Sequence, residues 1–216
     1  MHSKQLNPEE IIIFTRYPEP GKVKTRLVPY LGEEDAALLQ RRLTEQTIRL
    51  ALPLHQEKQV RISIFFTGGS EEQMKKWLNG SVILKSQDDG DIGQRMASAL
   101  RSAWSRGAHR AVLVGSDLPA LKTDILAQAL KELRTCDVVL GPAHDGGYYL
   151  IGLNNNLPAE KFNTLFNGLD WGTSSVFSQT LQKAEQEHLT VAILERLHDI
   201  DRPEDLKHFC HHSDPQ

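Results

Sequence analysis

Short β-branched apolar runs alternate with longer amphipathic segments along most of the chain, and this alternation limits the possible folds. Seven runs have the length and composition of strands, namely residues 11–15, 60–67, 82–85, 111–115, 138–141, 148–153 and 190–194. Five segments repeat apolar residues at intervals of three and four and are predicted helices, namely residues 33–54, 70–78, 91–106, 122–133 and 174–188. Strand and helix in alternation predict a three-layer α/β/α fold around a mainly parallel sheet.

The alternation breaks once, between the predicted strands 138–141 and 148–153, which have no helix between them. The intervening residues 142–147 must either turn back tightly or carry the chain to another position in the sheet. The sheet is therefore predicted to be mixed, with most of its strands parallel.

Length and charge restrict the function classes. The chain has 216 residues, which predicts a single domain spanning residues 1–216. A net charge of -3 argues against a general nucleic-acid surface. The two cysteines lie far apart, residues 1–10 are too polar for a signal peptide, and no apolar run approaches the roughly 20 residues that span a bilayer. We expect a cytoplasmic protein that has small-molecule ligands and neither nucleic-acid nor membrane partners.

A basic loop follows the first predicted strand. Residues 16–26 contain four cations, two prolines and one glycine, and the cations are Arg16, Lys22, Lys24 and Arg26. Ligands of open α/β sheets bind at the carboxyl ends of the strands, where this loop begins. The loop is therefore predicted to bind phosphates.

A carboxylate follows the predicted strand 111–115. Asp117 lies two residues after that strand and is followed by Pro119, which prevents an immediate continuation into helix. Mg²⁺ and Mn²⁺ prefer oxygen ligands and often use one or two carboxylates together with substrate phosphates. Asp117 is a candidate metal ligand, and the alternative is that it only caps the following helix.

The segment 141–149 places His144 and Asp145 before two glycines, Gly146 and Gly147. Glycines allow positive φ or the close approach of a ligand. An ordinary Asp-Gly hairpin turn would have the same residues. The position one strand after Asp117 favours a functional role.

Two further clusters have a functional and a structural interpretation. Asp199 and Asp201 alternate on a segment that leads into a predicted helix, so both could share one face and complete a metal site with Asp117, or Asp201 could cap the helix. The polar turn 87–95 opens another helix, where free amides can meet a base or phosphate, although Asp91 would also serve as a cap there.

Together the basic loop, the Gly-Ser-Asp-Leu-Pro strand end, the His-Asp-Gly-Gly-Tyr turn and the Asp-Ile-Asp-Arg-Pro-Glu-Asp-Leu segment resemble a GT-A-type nucleotide-dependent transferase. The chain is most similar to a bacterial family labelled selenodomain-associated or arsenosugar-biosynthesis glycosyltransferases. It is more distantly similar to phospholactate guanylyltransferases and molybdopterin guanylyltransferases. The resemblance spans roughly residues 10–209 and depends on the order of the motifs. It implies a GT-A fold that binds a nucleotide in its first half and an acceptor in its second half.

The resemblance also implies residue roles. Arg16, Gly21, Lys22, Lys24 and Arg26 correspond to the phosphate-binding loop, and Gln87, Gly93 and Arg95 to the base-recognition segment. Asp117 corresponds to the metal-binding acid, with Asp199 or Asp201 as the second ligand of Mg²⁺ or Mn²⁺. Acceptor binding falls to Asp145, Gly146, Gly147, Thr173, Ser174 and Ser175. The loop departs from the usual nucleotidyltransferase pattern because Pro18 and Pro20 stiffen it where relatives carry more glycines, which leaves the donor open.

Three functions remain open at this stage. Four cations exceed what a nucleoside diphosphate needs, which favours transfer of a nucleoside monophosphate from a nucleoside triphosphate to a small phosphorylated acceptor. In that reaction Asp117 would hold the metal, while Lys22 and Arg26 would neutralise the leaving group. The first alternative is glycosyl transfer from a nucleotide sugar, with Asp145 or His144 as the general base. The second is a non-catalytic nucleotide sensor.

Overall fold

The computed structural model of the chain describes residues 8–78 and 82–209. A single sheet of seven strands runs through the described part, in the order β3-β2-β1-β4-β6-β5-β7. The strands are β1 (Glu9–Arg16), β2 (Arg61–Thr67), β3 (Ile83–Ser86), β4 (Arg110–Gly115), β5 (Val138–Pro142), β6 (Tyr148–Asn154) and β7 (Val191–Ile193). All seven predicted strands are present.

One strand runs against the others. β6 lies between β4 and β5 and is antiparallel to both, whereas β1, β2, β3 and β4 pair in parallel and β7 pairs in parallel with β5. Segment 142–147 thus turns back tightly, and β6 also takes the position in the sheet beside β4. The prediction of a mainly parallel, mixed sheet is confirmed.

Helices cover both faces of the sheet. The helices are α1 (Val28–Leu31), α2 (Glu33–Lys58), α3 (Glu71–Trp77), α4 (Ile92–Ser105), α5 (Thr123–Glu132), α6 (Ala159–Phe166), α7 (Val176–Gln186) and α8 (Leu206–Phe209). Helices α2, α3 and α5 pack on one face and α4, α6 and α7 on the other. None of the described helices is long and apolar enough to span a membrane.

The alternation of side chains along β1 explains the two cores. Ile11 and Ile13 belong to one buried cluster, while Ile12 and Phe14 belong to the cluster on the opposite face. Successive side chains of a strand point to opposite faces, so a strand covered on both sides is apolar at successive positions through its middle, here residues 11–14, while the buried Glu10 pairs with Arg106. This requirement accounts for the continuous apolar run.

Some helix boundaries differ from the sequence-based prediction. α6 was not predicted: it has eight residues and no side-chain cap, so its apolar periodicity is short. α7 begins at Val176, which leaves Ser174 in the preceding loop and Ser175 at the N-cap. α2 continues through Pro53 to Lys58, four residues beyond the predicted end.

Candidate functional site

The segments with predicted functional residues meet at the carboxyl edge of the sheet. The basic loop follows β1, Gln87 follows β3, Asp117 follows β4, and residues 143–147 follow β5. Two depressions lie along this edge: a pocket of about 210 Å³ and a cleft of about 790 Å³. Ile92, at the start of α4, lines both of them.

The smaller pocket combines cationic and amide side chains. Arg16, Gln87, Arg95 and Asp117 line it. The amide nitrogen of Gln87 donates to the Phe65 carbonyl oxygen at 3.0 Å, while Arg95 donates to the Gln87 amide oxygen at 3.2 Å. The structure therefore brings the predicted phosphate-binding Arg16 next to the predicted base-recognition residues.

Gly93 is separated from the smaller pocket that Gln87 and Arg95 line. A Cβ atom at Gly93 would come within 2.2 Å of the Trp171 ring, so the glycine allows the indole to pack on the first turn of α4. Gly93 is buried and does not line the smaller pocket. Its predicted contact with a nucleotide stays a prediction.

The four cations of the basic loop have different environments. Arg16 is exposed at the end of β1, Lys22 forms an exposed ion pair with Glu19 at 2.7 Å, and Arg26 pairs with Asp201. Gly21 adopts φ 74, where a residue with a Cβ is strained. Lys24 differs from the other three cations because its side chain is only 3% exposed.

Lys24 connects three parts of the site. Its ammonium nitrogen lies 2.8 Å from Asp117 Oδ2 and donates to the Ile200 carbonyl oxygen at 2.5 Å. The Ile200 amide donates to the Asp117 carbonyl oxygen at 2.9 Å. The basic loop, the end of β4 and the segment that carries Asp199 are thereby held together.

Asp199 lies in the larger cleft among other carboxylates. Burial raises its pKa to about 6, and the negative charges of Asp145, Asp117 and Asp205 add to this shift. Asp199 lines the larger cleft and Asp117 lines the smaller pocket. The two lie close enough for the Asp117 charge to act on Asp199, and the amide of the next residue, Ile200, donates to the Asp117 carbonyl oxygen at 2.9 Å.

These carboxylates fit a divalent cation that is partly coordinated by its substrate. Asp117 Oδ1 is buried and has no hydrogen-bond partner among the described residues. Within residues 8–78 and 82–209, no group of three or more His, Cys, Asp or Glu side chains could hold a metal by itself. Mg²⁺ typically uses one or two carboxylates and completes its shell with phosphates and water, so a site of this kind would need no protein ligands beyond Asp117 and Asp199.

Asp201 has a different environment from Asp199. Its carboxylate pairs with Arg26, and its amide donates to Asp205 Oδ2 at 3.1 Å. The interpretation of Asp201 as a helix cap is wrong, because Arg202 occupies the N-cap position of the short 3-10 helix Pro203–Asp205. Of the two candidate second ligands, Asp199 is the one repelled by neighbouring carboxylates, and a bound cation would reduce that repulsion.

The turn after β5 is both a tight turn and a wall of the larger cleft. Gly146 has φ 92, and a Cβ there would come within 2.1 Å of the Ser174 carbonyl oxygen. The Gly147 amide donates to Asp145 Oδ1 at 2.8 Å, while the His144 ring stacks on the His198 ring at 3.5 Å. The segment is thus a tight turn whose residues His144, Asp145 and Gly147 line the larger cleft, and its predicted role in function stays a prediction.

The loop before α7 packs against this turn and contributes further residues to the lining of the larger cleft. Thr173 and Ser174 line the larger cleft, and Ser175 lies behind them with its hydroxyl 2.8 Å from that of Thr173. Trp171 and Tyr148 add an aromatic surface. Burial raises the pKa of Tyr148 well above its usual range, so this hydroxyl remains protonated.

Two features of the site were missed by sequence reasoning. One is a buried polar network in the wall of the smaller pocket, in which the Gln40 side-chain amide donates to the hydroxyls of Thr15, Thr44 and Ser116 at 3.2 to 3.3 Å. The polar residues on the buried face of α2 were the available indication. The other is Arg202, which lines the larger cleft.

Comparisons with known proteins agree with this architecture. Residues 50–173, more than half of the chain, match the family described as "uncharacterized protein conserved in bacteria (DUF2064)". A crystal structure from Desulfovibrio desulfuricans G20, provisionally assigned as a nucleotide-diphospho-sugar transferase, has 34% sequence identity and a TM-score of 0.82. That match covers 90% of this chain and 82% of the other. The predicted α/β fold and the resemblance to GT-A-type transferases are confirmed.

A second relative is the 2-phospho-L-lactate guanylyltransferase of Methanopyrus kandleri, which is 34% identical over 97 residues. The matched segment is 44% of this chain and spans about half of that enzyme, 46% of its length. Both relatives are named as transferases that use nucleotides, in agreement with the predicted class.

More distant structures share the fold. A nucleotidyl transferase from Methanothermobacter has a TM-score of 0.64 at 15% identity, covering 96% of this chain and 100% of the other. A Mycobacterium tuberculosis H37Rv protein solved in complex with manganese has a TM-score of 0.53 at 15% identity, with the same coverage.

Proposed function

Because the chain belongs to the DUF2064 family and has the fold of nucleotide-diphospho-sugar transferases, we propose that it is a metal-dependent nucleotidyltransferase. It would transfer a nucleoside monophosphate from a nucleoside triphosphate to a small phosphorylated acceptor. The observation that carries this proposal is a pair of neighbouring carboxylates that line two different depressions. Asp117 lines the smaller pocket and Asp199 the larger cleft, which is the arrangement that transfer between two bound substrates requires.

The smaller pocket and the basic loop would bind the nucleotide. Arg16 and Arg95 supply positive charge in the pocket. Lys22 and Arg26 are more than half exposed in their ion pairs with Glu19 and Asp201. Because exposed ion pairs contribute little stability, both cations can exchange their carboxylate partners for phosphate oxygens at low cost.

Asp117 and Asp199 would hold Mg²⁺ or Mn²⁺ together with the nucleotide phosphates. Bound there, the cation would supply positive charge that stabilises the phosphates during transfer. The manganese complex of the distant M. tuberculosis structure supports a divalent cation in proteins of this fold.

The larger cleft would bind the acceptor. Thr173, Ser174 and Arg202 offer hydroxyl and guanidinium donors to an anion. Asp145 and Gly147 also line this cleft, and Gly146 packs against the Ser174 backbone. An acceptor phosphate oxygen would form a bond to the α-phosphorus. The bond between the α-phosphorus and the oxygen that bridges it to the β-phosphate would break, and its electron pair would stay on that oxygen. Pyrophosphate leaves, and Lys22 and Arg26 neutralise its charge. An ionised phosphate needs no general base.

Glycosyl transfer is the second candidate, favoured by the assignment of the Desulfovibrio relative. For that reaction a hydroxyl acceptor would lose its proton to Asp145 or His144, which both line the larger cleft. A non-catalytic sensor is the third candidate, and the retained carboxylates Asp117, Asp145 and Asp199 count against it. In each case we propose a cytoplasmic protein that acts on small molecules.

A pyrophosphate-release assay distinguishes the three candidate functions. Each nucleoside triphosphate is incubated with the protein, Mg²⁺ and a panel of phosphorylated acceptors, and the same acceptors are offered with nucleotide sugars. Acceptor-dependent pyrophosphate release that Asp117→Asn abolishes supports nucleotidyl transfer. Turnover with nucleotide sugars alone supports glycosyl transfer, and nucleotide binding without any turnover supports the sensor.

A further inference from the structure

We propose that Lys24 is a positioning residue whose buried ammonium group is a built-in counter-ion for Asp117, and that it weakens metal binding until a nucleotide is present. This inference rests on the proposed function, because it takes Asp117 as a metal ligand. It also assigns Lys24 a different role from that of the exposed phosphate-binding cations of the same loop.

The surroundings of Lys24 are those of a structural connector. Its side chain is 3% exposed, whereas the Lys22 side chain, two residues away, is 70% exposed. A substrate phosphate reaches an exposed ammonium group more easily than a buried one that already uses two of its three hydrogen-bond donors. The ammonium of Lys24 already contacts Asp117 Oδ2 at 2.8 Å and the Ile200 carbonyl oxygen at 2.5 Å.

The backbone also holds Lys24 in place. Its φ is 48, in the left-handed region that a residue with a side chain rarely adopts and that persists only where the surroundings enforce it. The Leu27 amide donates to the Lys24 carbonyl oxygen at 2.7 Å, and Val23 and Leu27 on either side are buried. Leu27 packs in a small core with Ile200. The loop is thereby fixed to the segment that contains Asp199.

The charge of Lys24 has two opposite consequences for the site. It offsets the charge of Asp117, which allows the Asp199 segment to dock nearby without a metal. It also repels any divalent cation that shares Asp117, because a unit charge a few ångströms away acts strongly in a partly buried site. The charge of a triphosphate would offset this repulsion, so metal and nucleotide are expected to bind together.

The test compares Lys24→Met with a matched control, Lys75→Met, which removes an exposed lysine paired with Glu71 on α3. Mn²⁺ alone is titrated into the nucleotide-free proteins by calorimetry. Lys24→Met should bind Mn²⁺ at least about tenfold more tightly than the wild type, and Lys75→Met should be unchanged. If Mn²⁺ binds the wild type, unchanged or weaker Mn²⁺ binding by a folded Lys24→Met protein overturns the counter-ion role. A merely structural role of Lys24 predicts no gain in metal affinity.

Two measurements separate this inference from the alternatives. Nucleoside triphosphate binding in EDTA should be equal in wild type and Lys24→Met, and a tenfold loss would make Lys24 a phosphate ligand instead. Lys24→Met should lower the unfolding midpoint less when Asp117→Asn is also present, because the double variant leaves no buried unpaired charge. Equal losses in the two backgrounds contradict the pairing.

If Lys24→Met does not fold, amine labelling of the wild type tests whether the Lys24 ammonium is held in its buried ion pair. In nucleotide-free protein an acylating reagent should modify Lys22 quickly and Lys24 slowly, and rapid labelling of Lys24 overturns the inference. The proposed function fails separately. Lys24 could be slow to label and coupled to Asp117 in the unfolding measurements, while Mn²⁺ binds the protein neither with nor without nucleotide. In that case the proposed metal-dependent reaction is wrong, and the ion pair between Lys24 and Asp117 is still supported.

Discussion

Replacing Asp199 with asparagine should stabilise the metal-free protein at neutral pH. Its pKa is raised from 3.8 to about 6, first by burial and then by the charges of Asp145, Asp117 and Asp205. The native state therefore binds a proton between these pH values that the unfolded state does not bind. The contribution of Asp199 to the free energy of unfolding is fully present below pH ~4, where its carboxyl is protonated. It is lost as the pH rises to about 6, because the native state disfavours the ionised form.

The expected gain follows from the size of that shift. Two pKa units correspond to about 3 kcal/mol, and solvent screening of a half-buried group reduces this to about 1 kcal/mol. Asp199→Asn should raise the melting temperature in EDTA at pH 8 by roughly 2–4 °C. The gain should be smaller at pH 5, where Asp199 is already largely protonated in the native state.

Thermal unfolding in EDTA at both pH values measures this effect, with Asp89→Asn as a control at an exposed position. An equal gain for Asp89→Asn would assign the effect to net charge. No gain at pH 8, or an equal gain at both pH values, would refute the carboxylate cluster. Mg²⁺ with nucleotide should stabilise the wild type more than Asp199→Asn, because the variant lacks one proposed ligand.

Three further predictions concern the pocket, the turn and the cofactor. Arg95→Ala should raise the KM for the nucleotide by about tenfold, corresponding to one lost charged hydrogen bond, and an unchanged KM in steady-state assays would remove Arg95 from the nucleotide site. Gly146→Ala should lower the urea midpoint more than Gly172→Ala, because both glycines have positive φ but only the Cβ at 146 meets the backbone of Ser174, and equal losses would contradict that contact. EDTA should abolish pyrophosphate release and Mg²⁺ or Mn²⁺ should restore it, whereas full activity in EDTA would exclude the metal.

The strands and the edge of the sheet were predictable from local patterns. A strand buried on both faces is apolar through its middle, so β1, β4 and β5 could be recognised from their composition. The parallel arrangement then brings the carboxyl ends to one edge, which predicts that Asp117 and the basic loop meet. The residue pattern and the family resemblance both predicted a second metal ligand at Asp199 or Asp201 and did not choose between them.

The remaining features depend on tertiary contacts that have no local signature. Lys24 and Lys22 belong to the same basic loop, and only the docking of residues 199–206 buries the first and leaves the second exposed. Gln40 lines the smaller pocket because α2 packs across the ends of β1 and β4. The packing of the Trp171 ring on Gly93 also has no local signature, and the predicted contact of Gly93 with a nucleotide stays a prediction.

Transfer of the α-phosphorus is the most direct test of the proposed reaction. A nucleoside triphosphate labelled at its α-phosphate is incubated with Mg²⁺, a phosphorylated acceptor and either the wild type, Asp117→Asn or the control Asp124→Asn on α5. We predict that the label enters the acceptor with one pyrophosphate released per transfer, in the wild type and Asp124→Asn but not in Asp117→Asn. Transfer that survives Asp117→Asn, or turnover by the wild type only with nucleotide sugars, would contradict the account.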